Sequence, residues 1–260
     1  MRTAAPRVVL ADTPYLACAA GARVGVPTVG LTNLTWSEIL ADYEPTGSSE
    51  RLRLLGQIDQ SYGSADFALR IAPGLALRPF KAVHDIGPIA QPAKDRRADV
   101  RRQLNLTPSD RLVLVGFGGI PLSNLPFERM ERMTGYSFLV DGTVVKRSPR
   151  IRNLATLPFP FATLLASCDL IMTKPGYGTT VEAVTLGIPV VYVRRHNFAD
   201  EHPLVDYLTD YGRSCELLQD DFAAGRWEPA LNQAWSSTQR HPPPACTGAA
   251  DAARHLVKFF

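Results

Sequence analysis

What the chain lacks narrows its possibilities first. None of its apolar runs approaches the ~20 residues that a bilayer-spanning helix needs, so no transmembrane segment is expected in the 260 residues. Cysteine is scarce: Cys18, Cys168, Cys215 and Cys246 lie far apart, with no CxxC pair and no Cys/His cluster. That spacing argues against a zinc site and a disulfide framework, and favours a reducing compartment. His196 and His202 lack the i, i+4 pairing with a third ligand that would suggest metal. Charge of one sign is lacking too. With 28 Lys and Arg against 25 Asp and Glu, the formal charge is only +3, and the basic residues are scattered. Nothing there grips nucleic acid electrostatically. The opening residues, Met1-Arg2-Thr3-Ala4-Ala5-Pro6, have no signal-peptide character, and the expected setting is cytoplasmic. No repeat of fixed period and no low-complexity tract occurs.

Two nucleotide signatures are missing as well. The Walker pattern fails because Lys174 precedes its glycines, and G-x-G-x-x-G fails at Gly116-Phe117-Gly118-Gly119 because position 121 is Pro. What is present is an ordinary globular composition, 45% hydrophobic and 20% charged, sufficient for one large domain or two small ones.

The pattern along the chain is α/β. Arg7–Ala11 and Thr28–Leu31 read as strands around a helix over Tyr15–Ala22. Two parallel strands alone leave unpaired edges and little buried surface, so either they join a sheet built later in the chain or a segment preceding them completes it, and the second is expected. Helices are expected over Thr35–Ala41 and Glu50–Gly63 and a strand over Asp66–Ala72. The proline-rich stretch Pro73–Asp99, with Pro79, Pro88 and Pro92, reads as a linker, placing a domain boundary near Pro92. Beyond it, strands at Arg111–Val115, Ser137–Val140, Leu154–Leu157, Asp169–Met172 and Pro189–Val193 alternate with helices over Leu122–Met133, Phe161–Ser167, Thr180–Leu186 and His202–Tyr211. That alternation predicts a parallel sheet with helices on both faces, whose ligands bind at the carboxyl ends of the strands.

One stretch organises the second half: Asp169–Glu182, DLIMTKPGYGTTVE. A buried strand ends in Pro175, Gly176 and Gly178, which let the backbone approach a ligand closely. Thr179 and Thr180 are suited to cap the following helix, with Glu182 in its first turn as in a capping box. Strand, glycine turn and helix N-terminus together make an anion site; the plainer alternative is a well-capped βα turn. Lys174 could pair with phosphate or be a solvated loop lysine. Glu182 could accept hydrogen bonds from vicinal ribose hydroxyls or simply cap. The loop Arg194–His202 (RRHNFADEH) gathers cations, an amide and carboxylates at another strand end, suited to sugar hydroxyls or phosphate.

Those residues carry a resemblance. TKPGYGTTVEAVTLGIPVVYVRRHNFADEHPL, followed by Gly225-Arg226-Trp227, resembles the nucleotide-sugar domain of GT-B glycosyltransferases. It is similar in particular to the glycosyltransferase-like domain at the front of plant L-arabinokinases and to stand-alone bacterial relatives. VVLADTPYLACAAGARVGVPTVGLTNLTWSEIL resembles the end of that family's N-terminal domain. The resemblance implies a GT-B-like α/β fold of two Rossmann-like domains with parallel sheets. Residues 1–92 would be a truncated, acceptor-side domain and 93–260 the nucleotide-sugar-binding domain. It implies a hexosyltransferase-like, metal-independent enzyme moving a sugar from a nucleoside diphosphate donor, expected to be UDP-linked, to an unknown acceptor. Gly118, Gly119, Lys174, Gly176, Tyr177, Gly178, Thr179 and Thr180 would line the donor diphosphate, Glu182 the ribose, and Asn197, Asp200 and Glu201 the donor sugar. No cofactor is implied, because the nucleotide-sugar is a substrate, and no metal. The start of a complete N-terminal domain is not in the sequence; another segment or partner chain could complete it, and no catalytic base is named. A nucleotide-sugar-binding module without turnover and a sugar-nucleotide epimerase are the alternatives.

Overall fold

In the computed structural model, which describes residues 6–43, 47–118, 125–141 and 148–260, every strand pairing is parallel. The chain divides into two units. One comprises Met1–Ile89, His196–Leu204 and Pro244–Phe260, the other Ala90–Arg195 and Val205–Pro243.

The first unit begins with β1 (Val9–Ala11), α1 (Tyr15–Arg23) and β2 (Thr28–Thr32). Then come α2 (Trp36–Tyr43), α3 (Ser49–Tyr62), β3 (Phe67–Ile71) and β4 (Val83–Ile86). The strands lie in the order β1-β2-β3-β4. The β1–β2 pair is extended on the β2 side by β3 and β4, strands from later in the chain. The linker reading of residues 73–99 needs correction, because it hid β4. Val83-His84-Asp85-Ile86 has one fully buried residue, so an edge strand of this kind leaves no apolar run to see. Cys18, Ile58, Tyr62, Ala68, Leu77 and Phe80 form the core of this unit. Gly30 is required there, since a Cβ on it would lie 2.7 Å from the Phe80 ring. At α3, Ser48 caps the helix by accepting from Arg51 N–H at 3.2 Å, as short hydroxyl side chains do.

The second unit runs α4 (Arg97–Gln103), β5 (Arg111–Val115), α5 (Phe127–Arg132), β6 (Tyr136–Val140) and β7 (Ile151–Asn153). It continues with α6 (Phe161–Ser167), β8 (Leu170–Thr173), α7 (Tyr177–Leu186), β9 (Val190–Tyr192) and α8 (Glu201–Tyr211), whose first residues count with the first unit. β10 (Ser214–Glu216), α9 (Gln219–Ala224) and α10 (Glu228–Ser236) complete it, and α11 (Gly248–Leu256) belongs to the first unit again. The sheet order is β10-β9-β8-β5-β6-β7. In chain order within the unit this is the doubly wound arrangement 3-2-1-4-5-6.

Both faces of this sheet are covered, which is why its strands read as continuous apolar runs. On β5, Val113 and Val115 enter one core with Phe138, Met172, Val191 and Trp227. Leu112 and Leu114 enter the other with Leu139, Ile171, Val190 and Tyr192. Trp227 is wholly buried, stacked on Phe222 at 5.3 Å, with its Nε1–H donating to the Phe222 carbonyl at 2.9 Å. Trp235 is exposed, with the guanidinium groups of Arg111 and Arg213 at 4.7 and 5.9 Å from its ring centre.

Asp169, just before β8, ties the sheet to α4. Its carboxylate accepts from Arg97, from Arg101 at 3.0 Å and from Leu112 N–H at 2.8 Å.

Two further expectations change. Leu154–Leu157 is not a strand: β7 ends at Asn153, whose Oδ1 accepts from Ala155 N–H at 2.8 Å and turns Leu154–Thr156 into a 3₁₀ helix. Such local side-chain bonds compete with sheet pairing. Of the helix expected over Leu122–Met133, the described part is α5, starting after Pro126; residues 119–124 lie outside the described residues. Among the described residues no helix is long and apolar enough to cross a membrane.

Candidate functional site

β5 and β8 lie side by side with Val115 opposite Met172. From β5 the chain proceeds to β6 on one side, and from β8 to β9 on the other. Between them is the sheet's topological switch point, where diverging connections leave a crevice at the carboxyl ends. Both glycine-bearing turns open there.

After β5, Gly116 N–H extends the ladder by donating to the Met172 carbonyl at 3.0 Å. A side chain at Gly116 would meet the Phe161 ring at 3.2 Å. Gly118 follows with φ +54°, a left-handed conformation that costs glycine little. After β8, the Lys174 ammonium lies 3.6 Å from the Cβ position of Gly118 and 3.8 Å from that of Gly176. One cation thus sits over both turns. Gly119 lies outside the described residues.

α7 starts earlier than expected, and the capping-box reading is corrected. Gly176 is the N-cap, extended at φ −140°, ψ 139°, with no side-chain cap bond. Its carbonyl accepts the first helical bond, from Thr180 N–H at 2.9 Å. Glycines at 176 and 178 did not delay the helix; the extended Gly176 serves as its own cap, placing Thr179 and Thr180 inside the first turn and Glu182 beyond it. The N-cap Gly176 brings no side-chain cap of its own, and the first turn of α7 with its dipole lies at the carboxyl end of β8, as an anion site requires. Tyr177 is half-buried, Gly178 exposed and Thr179 half-buried. Thr180 is wholly buried, and its hydroxyl has no hydrogen-bond partner among the described residues.

Glu182 is half-buried on α7. Burial pushes its carboxyl above the ordinary value, partly offset by a hydrogen bond from the Gln91 backbone. Sequence reasoning missed that partner, as it missed a bond from the Arg195 guanidinium to the Pro175 carbonyl at 3.0 Å. The cations of the Arg194–His202 loop were the available signal for the second. Asn197, Asp200 and Glu201 count with the first unit. Asn197 is exposed, whereas Asp200 and Glu201 are 5% and 1% exposed. Glu201 Oε2 accepts from His196 N–H at 3.1 Å, holding that residue at φ +65°. Among the described residues, no cluster of three or more His, Cys, Asp or Glu could hold a metal ion.

Solved structures share this architecture. The calicheamicin glycosyltransferase superposes with a TM-score of 0.63 at 17% identity, over 98% of this chain and 73% of that one. The fold is that of the GT-B glycosyltransferases. A second GT-B protein, a spinosyn rhamnosyltransferase complexed with thymidine diphosphate, superposes with a TM-score of 0.56 at 16% identity, covering 99% of this chain and 70% of that one. In sequence, the chain is similar to L-arabinokinase of Arabidopsis thaliana, at 30% identity over 231 residues, or 88% of this chain. It spans 22% of that relative's length. No protein-family profile matches the sequence.

Proposed function

We propose that the second unit binds the diphosphate of a nucleoside-diphosphate sugar at the switch point between β5 and β8, as the donor half of a metal-independent glycosyltransferase. The observation that carries this reading is the Lys174 ammonium lying over Gly118 and Gly176, at the start of α7 where the N-cap is a glycine. A cation, two close-approach backbone positions and a helix N-terminus converge where GT-B folds have their crevice, and each favours the doubly charged leaving group. The Gly176–Thr180 turn lies under the diphosphate, and Glu182 accepts from the ribose hydroxyls. The rhamnosyltransferase complexed with thymidine diphosphate supports a nucleoside diphosphate as ligand. UDP and TDP are therefore the two candidates to compare.

Titration calorimetry with UDP, TDP and the matching nucleosides tests the proposal. One diphosphate should bind, its nucleoside should bind at least tenfold more weakly, and Lys174→Met should cost the diphosphate about 1.5–3 kcal/mol. Equal affinity for nucleoside and diphosphate would sink it.

A second reading is a nucleotide-sugar-binding module without turnover. It is favoured by the match to a relative named as a kinase, of which this chain spans 22%. Release of nucleoside diphosphate from a bound nucleotide-sugar separates the two readings. Turnover requires it, and a binding module shows none.

A further inference from the structure

We infer that Arg195 is a positioning residue for the diphosphate site, an inference that rests on the nucleotide reading above. β9 pairs with β8 up to Thr173 opposite Tyr192. The ladder continues one step further, with Val193 N–H donating to the Thr173 carbonyl at 2.9 Å. The Arg194 carbonyl is then fixed by Gln219 Nε2 at 2.9 Å. Arg195 thus leaves a pinned backbone and reaches across to the Pro175 carbonyl at 3.0 Å, in a half-buried setting.

That carbonyl belongs to the peptide leading into Gly176, the N-cap of α7. In a trans peptide the C=O and the following N–H point in opposite directions. A guanidinium that holds the Pro175 oxygen on its own side therefore turns the Gly176 N–H to the other. Nothing in the local residues enforces this orientation, because glycine tolerates either way round. The Arg195 bond supplies the missing constraint, fixing the peptide before any ligand arrives. A donor aimed in advance spares the ordering cost of binding. Arginine suits the task better than lysine, since its planar fork holds one direction while a lysine ammonium swivels.

The full chain is compared with Arg195→Met and Arg195→Lys in two measurements. In hydrogen–deuterium exchange without ligand, peptides spanning residues 174–180 should exchange several-fold faster in R195M, with the remainder of the chain unchanged. In calorimetry, R195M should weaken whichever of UDP and TDP binds by roughly tenfold. The matching nucleoside should be unaffected, and R195K should restore part of the loss. Unchanged exchange in the ligand-free protein overturns the inference even if diphosphate binding falls, because that result describes an arginine touching the ligand. Equal losses for nucleoside and diphosphate overturn it too. Failure of the parent to bind either diphosphate refutes the nucleotide reading. The exchange comparison then still decides whether Arg195 holds the turn.

Discussion

Asp169 should be the most costly polar side chain to remove from the second unit, and the two ways of removing it should differ. It is 7% exposed and serves three donors: Leu112 N–H at 2.8 Å, Arg101 at 3.0 Å, and Arg97. Asp169→Ala leaves the Leu112 N–H, on a residue 1% exposed, without a partner. An orphaned buried donor costs about 1–3 kcal/mol. The variant also strips a carboxylate from two guanidinium groups whose side chains are 40% and 20% exposed. Water screens them, so the ~3–5 kcal/mol of a fully buried pair shrinks to about 1–2 kcal/mol. The expected loss for Asp169→Ala is about 3 kcal/mol. Asp169→Asn keeps an oxygen for Leu112 N–H and surrenders only charge, so it should lose about 1 kcal/mol. Urea unfolding followed by far-UV circular dichroism measures both. A loss below about 1 kcal/mol for Asp169→Ala, or equal losses for the two variants, would refute the reasoning. Nucleotide affinity should not move in either, since Asp169 precedes β8 and the site lies beyond its other end.

Three other outcomes are expected. Burial raises the Glu182 pKa, so the folded state holds that proton more tightly than the unfolded chain. The carboxylate therefore costs stability in full above its folded pKa, and the cost fades as pH falls from there to the unfolded value. Glu182→Gln should be neutral or stabilising at pH 7, with the difference shrinking toward pH 4 in thermal melts. The same variant should remove any decline in nucleotide affinity on acidification. Gly118→Ala and Gly187→Ala both place a side chain at positive φ, +54° and +69°, and each should cost about 1 kcal/mol. Only Gly118→Ala, whose Cβ would lie 3.6 Å from the Lys174 ammonium, should also weaken diphosphate binding by calorimetry; equal effects of the two would argue against the site. Trp227→Phe opens a cavity and removes the bond to the Phe222 carbonyl, for a loss of about 2–3 kcal/mol by urea titration.

What could be read before the structure depended on how local the cause was. Arg111–Val115 is legible because a strand buried on both faces must be apolar at every inward position, and Leu112 to Val115 are all buried. The turn at Lys174–Gly178 is legible because proline and glycine punctuate a strand end. β4 is not, since its place at a sheet edge asks little of its side chains. The start of α7 is hidden for a different reason: the hydroxyls of Thr179 and Thr180 suit the capping role, and an extended glycine performs it. The switch point follows from strand order, a matter of pairing between distant segments that no window of sequence contains. Arg195 and Pro175 are 20 residues apart, and Gln91 meets Glu182 from further still; no periodicity joins such pairs.

The three tryptophans give the molecule its own set of optical reporters. Trp36 is 43% exposed on α2 of the first unit, Trp235 is 37% exposed on α10 of the second, and Trp227 is sealed within the second unit's core. Their emission should therefore separate by quencher. Neutral acrylamide reaches Trp36 and Trp235 but not Trp227. Iodide is drawn to the two arginines flanking Trp235, and caesium is kept away from it. A denaturation followed under each quencher can thus be resolved unit by unit without attaching any label.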